Sequence, residues 1–245
     1  MPDRSLYVSM SGAKEILYAQ GVKANNLANS QTTGFKSDFS VLYSMPVYGE
    51  VHPSRVYVGA ANPGHDLSPG ALISSGNDLD LAINGEAFFV VQAEDGAESY
   101  TRRGDLTIGK EGFLVNGSGA RVLGTGGPIF VPDHQKISVA QDGTISVVAR
   151  DSNQTLLTLD KLKLVNPDQK LLYKTQDGNF RQKNGAVPIE DSSSSIITGM
   201  KEASNVNAVG ELVDIITLAR EYELNVKMMQ VAEESESATA RIMQI

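Results

Sequence analysis

Apolar positions set the first boundary in this chain. From Glu211 to Ile245 there is neither Gly nor Pro, and apolar side chains recur at Leu212, Ile215, Ala219, Tyr222, Val226 and Met229. This 3-4-3-4-3 spacing lays one stripe along an α-helix. Beyond Met229 the stripe moves to Val231, Ala238, Ile242 and Ile245, so the helix continues while changing the face it presents. Fully helical, the segment would be ~50 Å long, too long to bury its own stripe without partner helices. The N-terminus offers such a partner: Leu6, Met10, Ala13, Leu17, Ala24 and Leu27 form a heptad ladder whose missing rung is Gln20. Gly12 and Gly21 each cost that helix about 1 kcal/mol relative to Ala, a penalty that makes sense where another helix must approach closely.

The N-terminal helix runs into the string Asn25-Asn26-Leu27-Ala28-Asn29, followed by Thr32-Thr33-Gly34-Phe35-Lys36. Asn is a poor helix former and costly to bury without hydrogen-bond partners. In an apolar seam its value is to fix register and partner number. Gly34 is expected at the left-handed position just past the helix end.

Between the two ends the period changes from 3.6 to 2. Leu79, Leu81 and Ile83 alternate with Asp78, Asp80 and Ala82, and Ala87-Phe88-Phe89-Val90-Val91 follows Asn84-Gly85. Asp95-Gly96, Asn116-Gly117, Asp142-Gly143 and Asp177-Gly178 are hairpin signals where strands flank them. Ile137 to Val147 alternates on both sides of Asp142-Gly143, and Leu157, Leu159, Leu162 and Leu164 extend the alternation. The expected fold class is therefore α+β, mainly β. The N-terminal helix of a coiled-coil domain occupies 1–36, an extended connector with four prolines 37–75, an antiparallel all-β domain 76–204, and the C-terminal helix of the coiled coil 205–245.

Composition narrows the chemistry. The 245 residues include no Cys, which removes disulfides, thiolate nucleophiles and cysteine-ligated metal sites. A net charge of -8, with Lys and Arg thinly spread, disfavours nucleic acid and anionic membrane surfaces. The charge is also polarised: residues 1–36 carry net +2 and residues 211–245 net -4, which favours pairing of the two ends. Phosphate-loop and nucleophile-elbow motifs are missing. His52, His65 and His134 lie in Pro-rich or turn sequence with no ligand spacing and read as solvated loop residues, and no cofactor or metal is expected. Asp78, Asp80 and Glu86 are the carboxylates nearest one another, but alternation places Asp78 and Asp80 opposite the leucines, where solvated charges belong. Met1 to Lys14 has no apolar core of a signal peptide, and no apolar run reaches membrane-spanning length. The residues point away from catalysis and towards assembly.

Asn25-Asn26-Leu27-Ala28-Asn29 with Thr33-Gly34-Phe35-Lys36 resembles the N-terminal signature of bacterial flagellar axial proteins, the rod and hook group. Leu79 to Ile83 with Gly85, Phe88 to Gln92, Tyr100-Thr101-Arg102, Gly104, Gly112, Leu114 and Gly124 resemble the central β domain of that group, and Ser204-Asn205-Val206 its C-terminal motif. Met45-Pro46-Val47, Gly127-Pro128-Ile129, Asp142 to Ser146, Leu162 to Val165 and Asp177 to Arg181 are similar to the proximal-rod member. The resemblance implies a structural subunit whose terminal helices polymerise helically into part of a periplasmic drive shaft and export channel, inside a shell of β domains. It implies contact with copies of itself and with other rod proteins, no membrane insertion, and export by the flagellar type III apparatus without signal cleavage. The assembly surface would comprise Leu6, Met10, Ala13, Leu17, Ala24, Asn25, Asn26, Leu27, Asn29, Gly34 and Phe35 at one end. At the other it would comprise Leu212, Ile215, Ala219, Tyr222, Val226, Met229, Ile242 and Ile245. A distal rod or hook protein of the same group is the first alternative. A periplasmic glycan-binding or hydrolytic β domain using Asp80 and Glu86, with oligomerising helices, is the remote one.

Overall fold

The computed structural model describes residues 3–47, 56–61, 64–149, 156–183, 188–191 and 193–242, with side chains between positions 5 and 241 of these. The chain is mostly β, with one long helix at each end and an antiparallel sheet domain between them in sequence. It divides into two compact units, residues 1–30, 36–67 and 206–245 forming the first, 31–35 and 68–205 the second.

The first unit is built on helix α1 (Asp3–Ala28) and helix α2 (Ala208–Ile242). Helix α2 begins three residues before the breaker-free run, because the Asn207 side chain accepts a hydrogen bond from Gly210 N at 3.2 Å and so caps the first turn. At the other helix, Asn29 N donates to Asn25 O and the Asn29 amide covers the same carbonyl at 3.0 Å. Asn29 therefore closes α1, and Gly34 is not its left-handed cap as expected. The segment 37–75, expected as an extended connector, carries regular pairing. Val41–Pro46 and Val56–Ala61 form an antiparallel ladder running from Val41 opposite Ala61 to Pro46 opposite Val56. The outer edge of Val56–Ala61 is finished by α1, since Ser11 Oγ donates to Val58 O and Ala60 N donates to Glu15 Oε2, both at 3.1 Å. Helix side chains thus satisfy an edge that would otherwise offer open backbone groups. Leu72–Ser74, from the end of the same segment, pairs with Met200–Glu202 in the second unit.

The second unit is centred on Phe88–Gln92, whose first four residues are buried on both faces. That explains a continuous apolar run where a half-exposed strand would alternate. Along one side it pairs with Glu98–Thr101, and along the other with Arg121–Gly124 at one end and Leu164–Asn166 at the other. A three-stranded sheet (His134–Val139, Thr144–Ala149, Leu156–Lys161) contributes Ile137, Ile145 and Val147 to the same core as Phe89, Val91, Leu106, Leu114 and Leu164. Among the described residues, five tight turns share one pattern, at 93–97, 109–113, 116–120, 140–144 and 175–179. The first residue's N donates to the fifth residue's O, and the fourth residue's N donates back to the first residue's O. The fourth residue is glycine each time, as at Gly143 with φ 88°. This is a three-residue hairpin loop ending in a left-handed residue, not the two-residue Asp-Gly turn. In the Asn116 turn that residue is Gly119 and not Gly117.

Two polar residues expected in solvent are enclosed. Asp80 is 7% exposed with Lys201 Nζ at 3.9 Å, because it bridges to Asp105 immediately before the strand Leu81–Asn84, whose first three residues are covered on both faces. His65 is half-buried, with Nδ1 2.6 Å from Asp38 Oδ1. His134 lies in a strand with Nδ1 3.0 Å from Pro132 O, and His52 falls outside the described residues.

Candidate assembly interface

Helices α1 and α2 pack antiparallel. A Cβ on Gly12 would lie 2.9 Å from Asn225 Oδ1, whereas Lys23 near the other end of α1 reaches Asp214 at 2.8 Å and Glu211 at 3.4 Å. On α1 the positions turned to this seam are Gly12, Ile16, Ala19, Lys23 and Asn26, a 4-3-4-3 stripe in which Ile16 and Ala19 are buried. On α2, from Glu211 to Glu236, every position that is not exposed lies at 211, 215, 218, 219, 222, 225, 226, 229, 232 or 236. These are the heptad positions of a two-helix seam. Burial works against the charge on Lys23, but the Asp214 and Glu211 carboxylates outweigh it and hold the ammonium above its ordinary value. The polarised charge of the two ends is thereby concentrated in one three-residue cluster.

The residues singled out from sequence distribute unevenly over this seam. Ile215, Ala219, Tyr222, Val226 and Met229 lie on it, each half-buried, whereas Leu212 is 50% exposed on its flank. The α1 heptad ladder is displaced by roughly a quarter of a turn from the stripe that meets α2. Ala13 at its margin is buried and Leu6 and Leu27 are half-buried, but Met10, Leu17 and Ala24 face outwards. Gly12 admits α2 as expected, while nothing lies within 4 Å of a Cβ placed on Gly21. Asn25 is exposed. The Ile242 side chain and all of Ile245 lie outside the described residues.

Asn26 has a role periodicity did not reveal. It is 1% exposed, its Nδ2 donates to Asp38 O and its Oδ1 accepts from Asp38 N, both at 2.9 Å. The amide pairs with a backbone residue of its own chain as a neighbouring strand would, so its buried polar atoms are satisfied without another subunit. Gly34 and Phe35 belong to the β unit and not to the helices. Gly34 has φ 66°, and a Cβ there would collide with the Arg102 and Arg103 backbone.

A second apolar surface emerges on the helices. Val209, Val213, Ile216, Leu224, Met228 and Val231 are 47–73% exposed and form a stripe on the side of α2 opposite the seam. On α1, Tyr7, Met10, Leu17 and Tyr18 are 48–53% exposed. Exposed apolar stripes of this kind, interrupted on α2 by Arg220 and Lys227, are candidate interaction surfaces. Among the described residues no helix is long and apolar enough to cross a membrane, and no group of three His, Cys, Asp or Glu is placed to hold a metal ion.

Three families of flagellar proteins match the chain. Residues 6–36 match the family described as flagella basal body rod protein, 82–147 the FlgE/F/G D1 domain of flagellar hook protein, and 197–242 the C-terminal part of flagellar basal body rod FlgEFG protein. The flagellar basal-body rod protein FlgF of Salmonella typhimurium is 37% identical over 98% of both chains. FlgF of Escherichia coli is 35% identical over 95% of both. FlgG of Bacillus subtilis is 29% identical over 94% of this chain and 96% of its own. The chain belongs to the flagellar basal-body rod protein family and is most like its FlgF members.

Proposed function

We propose that this chain is a structural subunit of the flagellar basal-body rod, one that polymerises helically through its terminal helices into part of the periplasmic drive shaft and export channel. The observation that carries this reading is the pair of opposite apolar faces on α2. One face is covered by α1, and the other, from Val209 to Val231, is left uncovered within the chain. A single helical partner covers one stripe, so the second requires another molecule. The outer stripe of α1, with Met10 and Leu17, extends the same requirement. Neighbours would be copies of this chain and other rod proteins, reached after export through the flagellar type III apparatus without signal cleavage. The role is mechanical and needs no catalytic group.

The test is to place charge on the outer stripe alone, with Ile216→Glu and Leu224→Glu in one chain. Far-UV circular dichroism should show the helices of the monomer unchanged, since neither residue lies on the seam. Incorporation into isolated basal bodies, and with it motility, should be lost. Wild-type incorporation of this variant would refute the reading.

A further inference from the structure

The signature string after α1 does not stay with the helices. Residues 31–35 join the second unit, and the chain then returns to the first at Lys36. Thr32 to Phe35 form a turn closed by Phe35 N donating to Thr32 O at 3.3 Å, with the left-handed Gly34 in its third position. Gly34 N donates to Glu202 O at 2.7 Å, and Asn205 N donates to Phe35 O at 3.4 Å. The Phe35 ring is 9% exposed and lies 3.8 Å beneath Lys174 Nζ. Gly34 sits against the Arg102 and Arg103 backbone so closely that no side chain fits.

The receiving surface is fixed from within the β unit. Glu202 is 1% exposed, pairs with Arg102 at 3.5 Å and accepts from Gly70 N at 3.0 Å. Ala203 N donates to Ala71 O, and the Asn205 amide reaches Ser68 O at 3.3 Å. The two ends of the β unit's main stretch, 68–71 and 202–205, are therefore tied to each other at the place where 31–35 docks.

We propose that Gln31–Phe35 is a docking peg. It is held within the β unit of its own chain, and the Thr-Gly-Phe signature serves this internal packing, not contact between subunits. Gly34 is required because only glycine combines a left-handed backbone with contact against the Arg102 backbone. Phe35 supplies the buried surface, and Glu202, held by Arg102, presents the acceptor carbonyl. The peg concerns the folding of a single chain, so it stands or falls independently of the rod reading.

Hydrogen exchange on the purified full-length monomer tests this. In the wild type at micromolar concentration the Gly34 and Asn205 amides should be protected, with protection independent of concentration. Gly34→Ala should lower their protection by about tenfold or more, the size of a left-handed penalty on a residue with a side chain. Phe35→Ala should act on the same two amides. The Val90 and Leu164 amides, in the centre of the sheet, should keep their protection in both variants. Unprotected Gly34 and Asn205 amides in the monomer that become protected only on assembly would overturn the proposal. So would equal loss at Val90 and Leu164 in both variants, because the segment would then be inseparable from the core.

Discussion

Glu202→Ala offers a stringent test of how the β unit is held together. Both partners of the Arg102–Glu202 pair are enclosed, with side chains 3% and 2% exposed. Removing the carboxylate strands a guanidinium, and breaking a buried pair from one side costs about 3–5 kcal/mol. Arg102 keeps other contacts that moderate the loss: it donates to Gly85 O and Ile83 O, and it lies 5.2 Å from the centre of the Phe88 ring. Gly70 N simultaneously loses its acceptor. The expected cost is therefore near the lower bound, about 3 kcal/mol. For a unit close to 150 residues this lowers the melting midpoint by about 10 °C. Glu202→Gln keeps an acceptor for Gly70 N and should cost about half as much. Replacing both partners, as Arg102→Met with Glu202→Leu, removes the stranded charge and should be less damaging than Glu202→Ala by about 2 kcal/mol. Exchange of the Val90 and Leu164 amides reports the stability of this unit whatever the helices do. A cost below about 1 kcal/mol for Glu202→Ala, or a double variant no better than the single one, would refute the reasoning.

Other consequences concern turns and titrating groups. Gly96→Ala should cost about 1 kcal/mol, because its left-handed backbone is the only obstacle, whereas Gly143→Ala should cost more. A Cβ at Gly143 meets Ile196 Cδ1 at 3.3 Å and Leu162 Cβ at 3.4 Å, while at Gly96 nothing lies within 4 Å; paired urea melts decide the order. Asp191 accepts hydrogen bonds from Ser193 and Ser194, which hold its carboxyl at about 2, below its ordinary 3.8. Because the folded value is depressed, its stabilisation is present above about pH 3.8 and is lost as pH falls through about 2. A carboxyl carbon shift that titrates like a free aspartate would contradict this. Lys23 has the opposite sign: its folded value is raised, so its contribution is full below 10.5 and is lost as pH rises through the folded value. Lys23→Met should weaken the helix seam by about 0.5–1 kcal/mol in low salt and by less in high salt, as followed by helix melting.

The helix seam of α2 and the hairpins of the β unit were legible because each depends on local periodicity. Ile215, Ala219, Tyr222, Val226 and Met229 recur at helical spacing and do share the buried stripe. Asp-Gly at 95–96, 142–143 and 177–178 marks true turns. The α1 ladder shows where that reasoning runs out. Two stripes on α1 are helically spaced, one with Met10 and Leu17, the other with Gly12, Ile16, Ala19, Lys23 and Asn26. The richer apolar stripe is the one left exposed at Met10, Leu17 and Ala24. Periodicity identifies a stripe but not its partner, and the partner here is set by a small, close-approach face that scores poorly on hydrophobicity. The enclosure of Asp80 went unseen for a related reason, since no local pattern links it to Lys201, and none links Asn26 to its partner Asp38.

By itself the sequence determined that the ends are helical, that the middle is antiparallel β, that the two ends attract, and which family the signatures belong to. These follow from residue spacing, breaker placement and charge, all of which are properties of short windows. Only the tertiary structure decided which face of α1 meets α2, that Asn26 pairs with the backbone of its own chain, and that the Thr33-Gly34-Phe35 turn leaves the helices to dock beside Glu202. Those outcomes depend on contacts between residues far apart in sequence, 188 positions at Lys23 and Glu211 and 168 at Gly34 and Glu202. Steric fit and hydrogen-bond satisfaction, which exist only once the chain is folded, select among surfaces that the sequence leaves equivalent.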